Sequence, residues 1–332
     1  MGRGLTDARL LARALAHPAD LPLETDWTGL IAIARAEQLM GTLAYRLAGL
    51  PLPERVAALF ADARAAAEHG RRAALWEAEM ARRALAGVCE PVLLKGTAYA
   101  AAGLLAGQGR AIGDLDILVP RDRLDAAEAA LVAAGWEWVK PDPYDDAYYR
   151  RWMHELPPLI HRERDRMIDV HHTVLPPTHR RTPDAAALLA ASEPAGTGLR
   201  VLAPDDMIVH AAAHLFADGD LAGGLRNLWD IRCLIEEFGV DGLEARAAHH
   251  GLASETLRAA RQAHALFGAP VPETWRTRKG ADRLFERRLL ARDGWGRPTR
   301  PVTRLGFYVR SHWLRMPPGL LARHLWTKWR RG

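Results

Sequence analysis

Between positions 5 and 86, apolar residues recur every three to four residues in stretches rich in Ala, Leu and Arg, a spacing that predicts helices. Breaks at His17-Pro18 and around Leu50-Pro51-Leu52-Pro53 leave room for three or four of them. The pattern changes at Pro91-Val92-Leu93-Leu94, a short strand-like run that ends at Lys95-Gly96-Thr97. A helix of small residues is expected from Ala98 to about Ala106, stopped by Gly107 and Gly109. Residues 112–119 read as the next strand, and the alanine-rich stretch from Asp125 reads as a helix that Gly135 caps in the left-handed conformation. Trp136 to Val139 returns as a strand, while residues 141–155, polar, aromatic and Pro-containing, are expected to be a loop or irregular segment. Leu156–Ile160 and Met167–His171 suggest two strands joined by the charged turn Arg162–Asp165. From about Pro204 the chain is helical again. The expected layout is an N-terminal helical region over 1–87, a mixed α/β core over 88–200, and a C-terminal helical domain over 201–332 with a basic, Trp-rich tail.

Composition changes this picture little. With 332 residues the chain can bury a sizeable core, and 49% hydrophobic and 26% charged residues are ordinary for a soluble globular protein. No apolar run approaches the roughly 18–20 residues of a membrane-spanning helix, and residues 1–7 lack the layout of a secretory signal, so a cytoplasmic protein is expected. Cys89 and Cys233 stand far apart, without disulfide or metal-ligand spacing. Charge is more informative. From Arg287 onward twelve Lys and Arg face one acid, Asp293, a local excess of +11 against +5 for the whole chain, so the remainder is acidic.

The candidate chemistry lies in the core. Side chains of a strand alternate faces, so Asp114 and Asp116 point the same way while Leu115, Ile117 and Val119 pack on the other side. Two like charges held that close call for a cation between them, and a hard divalent ion with oxygen ligands, Mg²⁺ above all, meets the need. Asp169 sits among Met167, Ile168 and Val170, an apolar setting in which a carboxylate needs a partner. Upstream, Gly96 and Thr97 open a helix whose free N–H groups suit a phosphate. Each has a structural alternative: a glycine turn capped by Thr97, a solvated strand edge, a salt bridge from Asp169 to an arginine. Together they supply the parts of two-metal phosphoryl transfer.

The string Leu93-Leu94-Lys95-Gly96, then Gly109-Arg110 and Gly113-Asp114-Leu115-Asp116-Ile117-Leu118-Val119, followed by Ile168-Asp169-Val170-His171, resembles the uncharacterised bacterial nucleotidyltransferase-like family of the polymerase-β superfold. Thr97 stands where that superfold usually has Ser, which keeps the hydroxyl. The resemblance extends over flanking helices and the segment His210, His214, Leu225-Arg226 and Asp230. It implies an α+β fold, a small mixed-sheet core flanked by helical regions. It also implies a Mg²⁺-dependent transferase, with two ions and Mn²⁺ as a substitute, that moves an NMP from an NTP such as ATP to an acceptor and releases pyrophosphate. Carried over by position, Asp114, Asp116 and Asp169 are the metal ligands and catalytic acids, with Asp169 as ligand or general base. Lys95, Gly96, Thr97, Arg110 and Gly113 would meet nucleotide and phosphate. His171, two residues past Asp169 on the same face, would touch nucleotide or acceptor, or be a satisfied histidine at the rim.

The acceptor stays open: small molecule, glycan, peptide or protein. His210 and His214 share a helix face but lack the glutamate of a His-Glu-x-x-His site, since position 211 is Ala, and read as core or supporting residues bonding toward Arg226 or Asp230. In the tail, Arg304, Arg310, Arg315, Arg323, Lys328, Arg330 and Arg331 interleave with Phe307, Tyr308, Trp313, Trp326 and Trp329. That mixture suits an anionic membrane surface and a peripheral location, or simply tryptophans packed on the body. No nucleic-acid module accompanies it, so nucleic acid is not the expected partner. Two other classes remain on sequence alone: a metal-dependent glycosyltransferase using the Asp-x-Asp pair, which would need neither Gly96-Thr97 nor Asp169, and a non-catalytic nucleotide-sensing or scaffold protein of a polysaccharide or peptide-modification pathway.

Overall fold

A computed structural model describes residues 7–22, 24–140, 142–196, 198–316, 319 and 326. Four helices open it: α1 (Arg9–Ala16), α2 (Trp27–Ala36), α3 (Met40–Arg46) and the long α4 (Glu54–Ala84). The start of α2 shows why the chain folds there, since Asp26 accepts from the Gly29 N–H at 2.9 Å.

The middle of the chain alternates strands and helices: β1 (Val92–Leu93), α5 (Lys95–Ala101), β2 (Leu115–Leu118), α6 (Leu124–Ala133), β3 (Trp136–Trp138), α7 (Pro143–Trp152), β4 (Leu159–His161), β5 (Met167–His171), α8 (Ala185–Ala190), β6 (Glu193–Ala195) and β7 (Leu199–Val201). Its strands form one mixed sheet in the order β3-β4-β5-β2-β1-β7-β6, so the molecule is α+β. At the centre β2 runs parallel to β5 and antiparallel to β1. The parallel register sets Asp116 opposite Asp169 and Ile117 opposite Val170. All four residues of β2 are buried, as befits a central strand covered on both faces.

Three expectations change. Residues 143–152 are the helix α7 rather than a loop, and Glu155 then forms an isolated antiparallel bridge with His171. The helix expected from Ala98 begins at Lys95 and stops at Ala101, with a separate 3₁₀ turn at Leu105–Gly107. Leu94 takes the N-cap position without a side-chain bond, so Thr97 lies within the first turn and is no cap. Strands β6 and β7 carry no sequence pattern of their own. Glu-Pro-Ala and Leu-Arg-Val are too short to show alternation.

The chain ends in α9 (Pro204–Ala213), a π-helical turn at His214–Asp218, α10 (Gly224–Phe238), α11 (Leu243–His249), α12 (Ala253–Phe267), α13 (Glu273–Arg276), α14 (Asp282–Leu289) and α15 (Pro301–Arg315). One apolar cluster runs from α1 through the sheet to Phe307 of α15. Of the tail's aromatic and basic residues, Arg323, Lys328, Trp329, Arg330 and Arg331 fall outside the described residues. No described helix is long and apolar enough to cross a membrane.

Candidate active site

The central strands build the site. Asp114 closes the loop before β2 and is exposed, Asp116 lies within β2 at 3% exposure, and Asp169 stands beside it on β5. One oxygen from each of the three carboxylates lies within 4.8 Å of the others. A set of three hard oxygen donors fits a divalent cation of the Mg²⁺ or Mn²⁺ type. A second observation agrees: Asp169 Oδ1 is buried and has no hydrogen-bond partner among the described residues. The salt bridge to an arginine that sequence offered as an alternative for Asp169 is not among the ion pairs formed by these residues.

Asp116 and Asp169 face each other but are charged differently. Burial alone would raise Asp116, yet the Lys95 ammonium and the His171 ring hold it far below the usual carboxylate range. Lys95 Nζ sits 2.5 Å from Asp116 Oδ1, and His171 Nε2 donates to the same oxygen at 3.0 Å. Asp169 has no such support. Burial first, then the charges of Glu155 and Asp116, push its pKa up to about 7. Lys95 takes a left-handed φ of 48°, uncommon away from glycine, as the chain turns from β1 into α5. Because Leu94 N–H donates to the Asp116 carbonyl at 3.0 Å, that turn is tied directly to β2.

The other expected residues divide. Gly96 packs against the Arg110 guanidinium so closely that a Cβ there would collide with it, and Thr97 is buried to 1%. Arg110 does not reach the site as a free cation. Its Nε donates to Asp230 at 2.9 Å, both side chains are buried, and the guanidinium lies over the Tyr99 ring. Where the sequence suggested a phosphate contact, Arg110 is paired here with a buried acid, and its contact with Gly96 makes it a brace for the turn. Gly113 lines a cavity that opens beside Asp114. His171 is no rim residue. It is 2% exposed, at the centre of a polar group with Asp116 and, at 3.5 Å, Glu155 Oε2.

Sequence reasoning missed His154 and Glu155. With His171 they form a second group of ligand-type atoms within 4.8 Å of one another. Burial raises the Glu155 pKa and lowers that of His154 well below its usual value. The only signal was a His-Glu pair ahead of an apolar run, and nothing local says that the segment folds back onto β5. His210 lies buried on α9 and His214 half-buried at the start of the π turn, and burial with the nearby Lys95 charge drives the His210 pKa down to about 3. The expected bonds toward Arg226 and Asp230 are not the ones these residues make. Arg226 donates to Gln38 Oε1 at 2.7 Å and to the Ala111 carbonyl at 3.4 Å.

Three convergent acids, a lysine on one of them and a tight turn at its back could together hold a divalent cation. A search of curated proteins finds no match to the chain. A family model described as an uncharacterised nucleotidyltransferase matches residues 24–268, which takes in α2 to α4, the whole sheet and α9 to α12. The chain belongs to this uncharacterised nucleotidyltransferase family.

Proposed function

We propose that the protein is a Mg²⁺-dependent nucleotidyltransferase that moves an NMP from an NTP to an acceptor oxygen. The acceptor oxygen bonds to the α-phosphorus, the α–β phosphoanhydride bond breaks, and pyrophosphate leaves. The observation that carries this reading is the convergence of Asp114, Asp116 and Asp169, with one oxygen of Asp169 buried and unpartnered. Bound there, Mg²⁺ would supply charge for the α-phosphate and lower the pKa of the attacking hydroxyl, with Mn²⁺ as a substitute.

The chain's own residues do the rest. Asp114, Asp116 and Asp169 would hold the cation, and Asp169 must lose its proton either to bind it or to serve as the base that takes the proton of the acceptor hydroxyl. Lys95 Nζ sits on Asp116 Oδ1, where a bound cation would displace it, and the freed ammonium would then neutralise phosphates that the Lys95–Thr97 turn would cradle. His171 fixes the Asp116 carboxylate. Arg110 and Asp230 brace the turn through Gly96. The C-terminal helical region supplies one wall of the cleft through Arg226 of α10. Family membership favours this reading over a glycosyltransferase. Incubation with each labelled NTP, Mg²⁺ and cell extract should label an acceptor, and labelling that survives Asp116→Ala rejects the site.

We also propose a peripheral place at an anionic membrane surface for the C-terminal face. Val302, Leu305, Val309 and Trp313 of α15 are exposed along one side of the helix, in the most basic part of the chain. Replacing Leu305, Val309 and Trp313 by Ser should reduce co-sedimentation with phosphatidylserine vesicles several-fold; unchanged co-sedimentation of the folded variant rejects it.

A further inference from the structure

A cavity of about 580 Å³ opens against the exposed side of Asp114. One wall is the loop Ala111–Asp114, and the others are Arg35 and Gln38 at the end of α2, Met40 and Gly41 at the start of α3, and Arg226 of α10. The walls are fixed by close backbone approach. Gly109, at φ +70°, packs against the Gly41 backbone so tightly that a Cβ on either residue would collide with the other.

Two guanidiniums line this space, and neither belongs to an ion pair among the described residues. Arg226 is half-buried and donates to neutral acceptors, Gln38 Oε1 and the Ala111 carbonyl. The surrounding arginines behave otherwise. Arg110 is matched by Asp230, Arg292 by Glu37 and Arg232 by Glu236. Burial and then the neighbouring Arg110 charge weigh against the charged form of Arg226, while Asp230, Asp114 and Asp116 favour it from a distance without forming an ion pair with it. A guanidinium presents its N–H groups as a planar fork that matches phosphate oxygens two at a time. Accepting from Arg226 with Oε1 leaves the amide nitrogen of Gln38 free to donate as well.

We propose that the Arg35–Gln38–Arg226 cavity is a subsite for a phosphoryl group, entered from the Asp114 side of the acid triad. Its volume exceeds what one phosphate needs and is that of a ligand-sized cleft. A phosphoryl group here would meet the two arginine guanidiniums with its oxygens while lying beside Asp114. It comes from one of two sources: the β- and γ-phosphates of the NTP, or a phosphate on the acceptor. Only this choice of source rests on the nucleotidyltransferase reading.

The test uses the full-length protein, Arg35→Gln, Arg226→Gln and the double variant, with thermal melting to verify folding. Binding is measured calorimetrically for inorganic phosphate, and for α,β-methylene analogues of ATP, GTP, CTP and UTP with Mg²⁺. The wild type should bind inorganic phosphate, and the double variant should lose at least tenfold in affinity. Arg35→Gln alone, on an exposed helix end, should lose a measurable part even if Arg226→Gln disturbs packing. Loss of phosphate affinity together with analogue affinity identifies the nucleotide tail as the source; loss of phosphate affinity alone identifies the acceptor. A folded double variant with unchanged phosphate affinity overturns the subsite, as does a wild type that binds none. If the wild type binds phosphate through the arginines but none of the four analogues, the subsite stands and the nucleotidyltransferase reading falls.

Discussion

Asp230 is a buried carboxylate and Asp169 a half-buried one with a buried oxygen, and they live in opposite ways. Asp230 on α10 receives the Arg110 guanidinium at 2.9 Å, and that guanidinium is itself closed off by Gly96 and the Tyr99 ring. Asp169 on β5 has a buried oxygen that nothing bonds, beside a second acid already taken by Lys95 and His171. Burying a charge is costly unless it is paired. One site meets the cost internally, and the other stands open to a proton or a cation from outside. A closed pair shapes the turn; an open one is where chemistry can enter.

The contrast breaks most sharply at Asp116. Asp116→Ala removes the carboxylate that both Lys95 and His171 grip, and transfer of labelled NMP should fall by about 1000-fold or more, the equivalent of about 4 kcal/mol in barrier. Persistent labelling would place the chemistry elsewhere. Asp230→Ala attacks the closed pair instead. It strands Arg110 in the interior without a partner, at a cost of about 3–5 kcal/mol, so the melting temperature should fall by about 10 °C. At temperatures where this variant is folded, Mn²⁺ should still bind, because the three acids are untouched. A variant that melts like the wild type would show that the pair contributes no net stability.

How far the sequence could foresee this follows from separation along the chain. Asp114 and Asp116 were legible because a strand's alternation is written in adjacent residues, and Asp169 because a lone acid in an apolar run stands out. The turn at Lys95–Thr97 was legible for the same local reason, though its helix starts three residues earlier than the small-residue run suggests. The pairing of Arg110 with Asp230 was not legible because the partner lies 120 residues away, and a guanidinium gives no local sign of which acid it meets. Glu155 was hidden in a segment whose aromatic and charged residues masked a helix and a fold back onto β5. Arg226 and Gln38 meet across 188 residues, a contact that only the packed helices create.

The smallest expected effect bears directly on the open acid. Asp169 titrates near pH 7 in the folded protein and near 3.8 in its ordinary state, so between those values the folded chain binds the extra proton. Stability therefore declines as pH rises from about 4 to about 7, and above 7 the full penalty of the buried charge remains. Asp169→Asn removes the penalty but keeps the shape. The metal-free variant should melt a few degrees above the wild type at pH 8, and the gain should fade toward pH 4. Divalent cation reverses the comparison. At pH 8 Mg²⁺ or Mn²⁺ should raise the wild-type melting temperature, less so below pH 7 where a proton competes for Asp169, and should leave Asp169→Asn nearly unchanged. A variant that gains nothing at pH 8, or that responds to Mn²⁺ as the wild type does, would mean that Asp169 is neutralised by something other than a metal, and its likeness to Asp230 would then outweigh the difference.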